Sequence, residues 1–203
     1  MKIVDEITLI SAGAFAQSAT LQKSLAEIRE AIATISWPDG ADGFYLNPHS
    51  KGKGRGEGNG VKPIKEACIT FLKERGWKDE QRMRGHGVAG TGPLDAVLET
   101  PEGVLALEWE TGNISSSHRA LNKMCLGVMR NELIGGVLVL PSSKLYPFLT
   151  DRIGNIRELV PYLPLWSSLN IQNGYIGLIV IEQDGEREDV PRIPKGTDGR
   201  ALL

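Results

Sequence analysis

The sequence predicts a mixed α/β sheet with packing helices in one domain spanning 1–203, and three observations carry that expectation. Short β-like runs alternate with helix-like patterns, no repeat or long low-complexity tract divides the chain, and 203 residues at 41% hydrophobic content can bury a substantial core. Residues 19–35, ATLQKSLAEIREAIATI, place Leu21, Leu25, Ile28 and Ile32 at helical spacing, and PIKEACITFLKERG does likewise before Gly76 stops it. Strands are expected at Leu94–Glu99, Val104–Glu110, Gly136–Leu140 and Tyr175–Glu182, with further helices near 117–129 and 153–162. The tail VPRIPKGTDGRALL reads as an irregular arm near 191–203.

Composition excludes several classes. No apolar run approaches the ~20 residues of a membrane span, and Asp5 and Glu6 stand where a signal peptide would be basic, so a cytoplasmic location is expected. Cys68 and Cys125 each lie in a helix-like apolar pattern, which suits buried thiols better than a disulfide or a zinc site. A formal net charge of -2 argues against a nonspecific nucleic-acid coat. Charge is nevertheless local: Lys51, Lys53, Arg55, Lys62 and Lys65 face a single acid, Glu57, in KGKGRGEGNGVKPIK. This flexible basic loop near 51–60 is either a solvated surface loop or an arm that contacts phosphate.

The chemistry concentrates further on. LDAVLE and GVLALEWE flank Thr100, Pro101, Glu102 and Gly103, a turn sequence, and together propose a β-hairpin. With Thr100 facing Gly103, the register sets Asp95 opposite Glu108. The two-residue period then places Val104, Ala106, Glu108 and Glu110 on one face and Leu105, Leu107 and Trp109 on the other. Three carboxylates thus converge, and their repulsion calls for a cation. Oxygen-only ligands favour Mg²⁺ or Mn²⁺ over zinc. Such a site beside a basic loop suggests phosphodiester hydrolysis, with Glu110 where many hydrolases of this type carry a lysine. Next comes NISSSHRALNKMCLGVM, a helix opening whose free N–H groups suit a phosphate. Asn113, Ser115 and Arg119 could reach base edges there, and His118 could touch phosphate.

With these residues in view, the chain resembles the BamHI-like type II restriction endonucleases. NGVKPIK, GPLD, EWETGNISSSHR, LTDR and IPKGTDG carry the resemblance, in the family's order, between about residue 36 and residue 200. It implies a restriction-endonuclease-like core, a central mixed sheet flanked by helices, acting as a homodimer around double-stranded DNA. It also implies Asp95 and Glu108 as metal ligands for Mg²⁺, with Mn²⁺ as a substitute, Glu110 as a third acid and Glu80, beside Asp79, as a fourth. Asn113, Ser115, Arg119, Asp151 and Arg152 match its major-groove set, with Lys65 nearby, and Gly196 and Asp198 match its minor-groove arm. An arginine can donate to guanine and an aspartate accept from the cytosine amino group, which suits Asp151 and Arg152 to a G·C pair. The implied target is G-G-A-T-C-C, cut after the first G to leave 5′ overhangs. Two departures stand out: the glycine loop at 51–60 is differently built, and Pro164 and Ser167 replace acidic dimer contacts after VPYL. A structure-selective repair or recombination nuclease, and a DNA-binding protein without cleavage, remain as alternatives.

Overall fold

The computed structural model describes residues 1–52, 57–82, 92–150 and 153–195. Its strands are β1 (Lys2–Ala12), β2 (Tyr45–Leu46), β3 (Lys78–Gln81), β4 (Leu94–Thr100), β5 (Gly103–Trp109), β6 (Gly135–Pro141), β7 (Gly174–Glu182) and β8 (Gly185–Glu186). The helices are α1 (Ala19–Ala33), α2 (Lys62–Lys73), α3 (Ile114–Met129), α4 (Ile156–Leu159) and α5 (Leu163–Ser167). Six strands form one mixed sheet in the order β1-β7-β6-β5-β4-β3, and β2 and β8 form a separate short pair. The inner strands β5, β6 and β7 run parallel, while β1, β4 and β3 pair antiparallel at the flanks. Parallel neighbours need a crossover, and α3 supplies the one between β5 and β6.

Side-chain alternation divides the core in two. Leu105, Leu107 and Trp109, with Val137, Val139, Ile179 and Ile181, pack with Leu25, Ile28 and Ile32 of α1 and Ile64, Cys68 and Leu72 of α2. The intervening Ala106, Leu138, Leu140, Leu178 and Val180 pack with Leu121, Met124, Cys125 and Val128 of α3, Leu159 of α4 and Trp166 of α5. The inner strands β5, β6 and β7 are therefore apolar on both faces, as expected for strands covered by helices on both sides. Both cysteines are buried free thiols, pushed up by burial to about 12 for Cys68 and about 11 for Cys125. No helix among the described residues is long and apolar enough to cross a membrane.

One expectation changes. The single helix near 153–162 is broken into α4, a 3-10 turn at Val160–Tyr162 and α5, because Pro161 and Pro164 each open a new helical segment and lack the N–H that would continue the previous one. The basic loop near 51–60 is anchored at the residues described on either side of its middle. Residues 53–56 lie outside the described residues, but Gly52, Asn59 and Gly60 are hydrogen-bonded to remote backbone on either side of them.

Candidate active site

Strand register builds the centre of the site. The β4–β5 ladder runs in step from Thr100 with Gly103 to Ala96 with Leu107 and ends there, with Asp95 and Glu108 as the next residue on each strand. Ala96 joins the α2-side core but Leu94 joins the α3-side core with Val97, so the alternation breaks at Asp95 and the one face expected for Asp95 and Glu108 is not formed. On the other side of β4, Asp79 pairs with Ala96 and Gln81 with Leu94, which leaves Glu80 across from Asp95. Glu80, Asp95 and Glu108 thus form a row of positions over three adjacent strands, but Asp95 and Glu108 are held from opposite faces of the sheet. Glu80 is exposed and holds a left-handed φ of 49°, a conformation disfavoured for a residue with a side chain and often found at functional sites. The neighbouring Asp79 is engaged by Lys73 at 2.8 Å, which holds its carboxyl below the usual range.

Two lysines from opposite helical layers hold the other two acids. Lys65 of α2 reaches Asp95 Oδ1 at 2.5 Å, and the Trp109 N–H donates to Asp95 Oδ2 at 2.8 Å. Lys123 of α3 forms an ion pair with Glu108 Oε1 and donates to the Pro93 carbonyl at 2.7 Å. Both members of this second pair are buried, Glu108 at 3% and Lys123 at 5% exposure, so the charges are desolvated together. Burial pushes the Glu108 carboxyl up, against the pull of the Lys123 ammonium. Lys123 was not singled out from the sequence, although its place three residues after Ala120 and four before Gly127 puts it on the buried stripe of α3.

Glu110 lies one step past the end of β5, and its N–H continues the ladder to Val139 O at 2.9 Å. Burial, followed by the charges of Glu108 and Asp95, raises its carboxyl to about 7, with Arg119 pulling the other way. Glu110 therefore feels both other acids and the helix that follows. Asn113 caps that helix, its Oδ1 accepting from the Ser116 N–H at 3.2 Å. Ser115 and Arg119 are exposed on the first turns, and Arg119 reaches Ser116 Oγ at 3.4 Å. His118 instead meets the Tyr162 ring edge-on at 4.8 Å and lies 5.4 Å from the Trp166 ring.

A cavity of about 610 Å³ opens beside the row. Asp79, Glu80 and Asp95 line it with Lys62, Lys65, Lys73, Thr150 and Lys195. Lys65 and Lys73 pair with Asp95 and Asp79, so the lining is a mixture of both signs in which Lys62 and Lys195 add further positive charge. Asp151, Arg152, Gly196, Asp198 and Lys53 lie outside the described residues.

Among the described residues no three acidic, imidazole or thiol groups are gathered into a ready metal nest. Asp95 and Glu108 are neutralised by lysines instead. The donor set still fits a hard divalent ion. It offers carboxylate oxygens on adjacent strands, and the buried Glu108 Oε1 has a cation beside it but no hydrogen bond of ordinary geometry.

The sheet order and helical layers recur in restriction endonuclease structures: the crystal structure of BglII complexed with a DNA 16-mer superposes with a TM-score of 0.64 at 12% identity, covering 95% of this chain and 88% of that one. Free BglII gives a TM-score of 0.51 at 13% identity. At such identities the likeness defines the fold alone. Sequence defines the rest. Residues 1–200 match the family described as Restriction endonuclease BamHI, and the chain belongs to that family. It is 50% identical to the type II restriction enzyme OkrAI of Oceanobacter kriegii, over 88% of this chain and 89% of that enzyme. It is 33% identical to the type II restriction enzyme BamHI of Bacillus amyloliquefaciens, over 88% of this chain and 83% of that enzyme. The chain is thus a type II restriction endonuclease, a hydrolase.

Proposed function

We propose that this enzyme cuts double-stranded DNA at the palindrome G-G-A-T-C-C, after the first G, with Mg²⁺ as cofactor and as a homodimer in the cytoplasm. The observation that carries the proposal is the join of β5 to α3. Glu108 and Glu110 end the strand, and Asn113, Ser115 and Arg119 begin the helix, so groups for cutting and groups for reading sit within a few residues on one rigid unit.

Asp95 and Glu108 would hold the Mg²⁺, with Glu80, across from Asp95, as the further acid. The bound ion would supply Lewis-acid polarisation of the scissile phosphate and a lower pKa for an attacking water. Glu110 then accepts the proton of that water, a role suited by a carboxyl poised near neutrality. Asn113, Ser115, Arg119, Asp151 and Arg152, with Lys65 nearby, read the major groove, and Gly196 and Asp198 approach the minor groove. Two copies of one chain read a palindrome naturally. A face for the second copy is available: Leu126 and Met129 of α3 are exposed together with Val160, Tyr162 and Leu165 of the α4–α5 segment. His118 and Trp166 pack these two segments side by side. Apolar contacts there would stand in for the acidic ones that Pro164 and Ser167 displace.

Digestion of a plasmid with mapped sites, followed by sequencing of the fragment ends, tests the target. Cuts only at G-G-A-T-C-C with four-base 5′ overhangs are expected. Discrete fragments with other ends would replace the target, and preference for junctions or flaps would favour a structure-selective nuclease. Sedimentation should give twice the chain mass, and a monomer on and off DNA would remove the dimer.

Glu110→Gln is expected to slow the chemical step by ~10²- to 10⁴-fold, the usual range for general-base help. In the parent, cleavage should rise with pH along a limb at or below about 7, since Glu110 must be ionised and a bound cation lowers its pKa. The limb should vanish from the residual activity of Glu110→Gln. Cleavage by this variant at the parent rate would rule the role out.

A further inference from the structure

We infer that Asn59 is a positioning residue that staples three chain segments into one wall of the cleft, so that sequence discrimination depends on a residue outside the reading set. The inference rests on the proposal that this cleft takes DNA. Asn59 is fully buried, at 0% exposure, in a segment composed mainly of glycine and charge. Its Nδ2 donates to Ser50 Oγ at 2.9 Å and to the Phe148 carbonyl at 2.7 Å, and its Oδ1 accepts the Ile193 N–H at 2.9 Å. Its own N–H donates to the same Phe148 carbonyl at 2.8 Å. One amide side chain thereby joins the entrance of the basic loop, the Phe148–Thr150 segment and the root of the C-terminal arm.

The surrounding backbone is built for this meeting. The Gly52 N–H donates to Pro147 O at 3.1 Å, the Gly60 N–H to Ile193 O at 3.0 Å, and Lys195 Nζ to Glu57 O at 2.9 Å. A Cβ on Gly58 would stand 2.2 Å from Leu149 O, and one on Gly60 would stand 1.9 Å from Pro194 O. These glycines therefore permit close backbone approach, which explains their density better than freedom of the loop does. What distinguishes the staple from ordinary core is where its segments go. Gly60, Thr150 and Lys195 all line the cavity with Asp95. In the sequence Thr150 leads directly to Asp151 and Arg152, and Lys195 to Gly196. The amide offers two donors and an acceptor at once, which is what Ser50, Phe148 and Ile193 require here, and a buried polar group left without its partner is costly.

The test is Asn59→Asp, which keeps shape and the acceptor for Ile193 but removes both Nδ2 donors. Two quantities are read: amide exchange of the free protein, and the ratio of kcat/KM for the cut sequence over duplexes altered at one base pair. Exchange at Gly52, Gly60 and Ile193 is expected to quicken together. The discrimination ratio is expected to fall about tenfold, the equivalent of about one lost hydrogen bond to a buried group. Gly60→Ala, which pushes the Pro194 carbonyl without altering Asn59, should move both quantities the same way and carries the test if Asn59→Asp does not fold. Exchange that changes in one segment alone overturns the staple. Linked exchange in a folded variant with an unchanged ratio overturns its part in reading. A parent enzyme that cuts no defined sequence would instead overturn the proposed target, because exchange is measured without DNA.

Discussion

Asp95→Ala is expected to end cleavage in Mg²⁺, with a fall of roughly three orders of magnitude or more, while DNA binding persists. The size follows from the several kcal/mol that a bound Lewis acid contributes to phosphoryl transfer, each ~1.4 kcal/mol being tenfold in rate. Asp95 lies on β4, the strand between those of Glu80 and Glu108, and with Glu80 it lines the cavity. The fold should survive at a modest cost. Lys65 and the Trp109 N–H lose an acceptor, but Glu110 and Glu108 lose a repulsive neighbour. Plasmid cleavage and gel-shift titration on the same preparation separate the two effects. Full cleavage by Asp95→Ala in Mg²⁺ would remove this residue from the proposed metal site, and loss of binding together with cleavage would make its role one of DNA attraction or folding.

The hairpin was legible in the sequence because two short-range rules act together there. A turn sequence fixes the pairing of Thr100 with Gly103, and the strand period then orders the side chains as far as Ala96 and Leu107; it fails at Asp95, beyond which Leu94 joins the same core as Val97. Both faces of β5 follow that order: Leu105, Leu107 and Trp109 join one core, and Ala106 joins the other. The edge strands carried no comparable signal. β3, with the sequence KDEQ, has no apolar residue, so it exists because a neighbour offers unpaired backbone rather than because its own pattern demands it, whereas β1 carries Ile3, Ile7, Leu9 and Ile10 against the two cores in an irregular order that bulges in its pairing with β7 accompany. Glu80 was reached only through family resemblance, since its place across from Asp95 depends on β3 being a strand at all. Asn59 gave no signal for a related reason. Its partners lie up to 134 residues away from it in the chain, and local spacing holds no record of such a meeting. Lys123 lies between these cases, on a legible helix face but with a partner that only the packed structure reveals.

Lys123→Ala is expected to cost about 3–5 kcal/mol of stability, because it leaves Glu108 buried with its charge unpaired. In a chain of this size each 1 kcal/mol lowers Tm by about 2–4 °C, so the loss should be plain in a thermal melt. The pH dependence has a definite sign. Burial already raises the Glu108 carboxyl above its ordinary value, and removing the ammonium raises it further. Above the ordinary carboxylate range the folded variant then holds a proton that the unfolded chain releases, so its stability falls as pH rises. The deficit relative to the parent should therefore be smaller at pH 5 than at pH 8. Adding Glu108→Gln to Lys123→Ala should recover part of the lost stability, because the charge that needed a partner is gone, yet cleavage should stay absent. Divalent cation offers a second route to the same compensation: Mg²⁺ should raise the Tm of Lys123→Ala more than that of the parent, and chelation should reverse it. A variant that melts with the parent at pH 8 would show that the Lys123–Glu108 pair does not hold the site together, and a variant indifferent to Mg²⁺ would separate Glu108 from the metal.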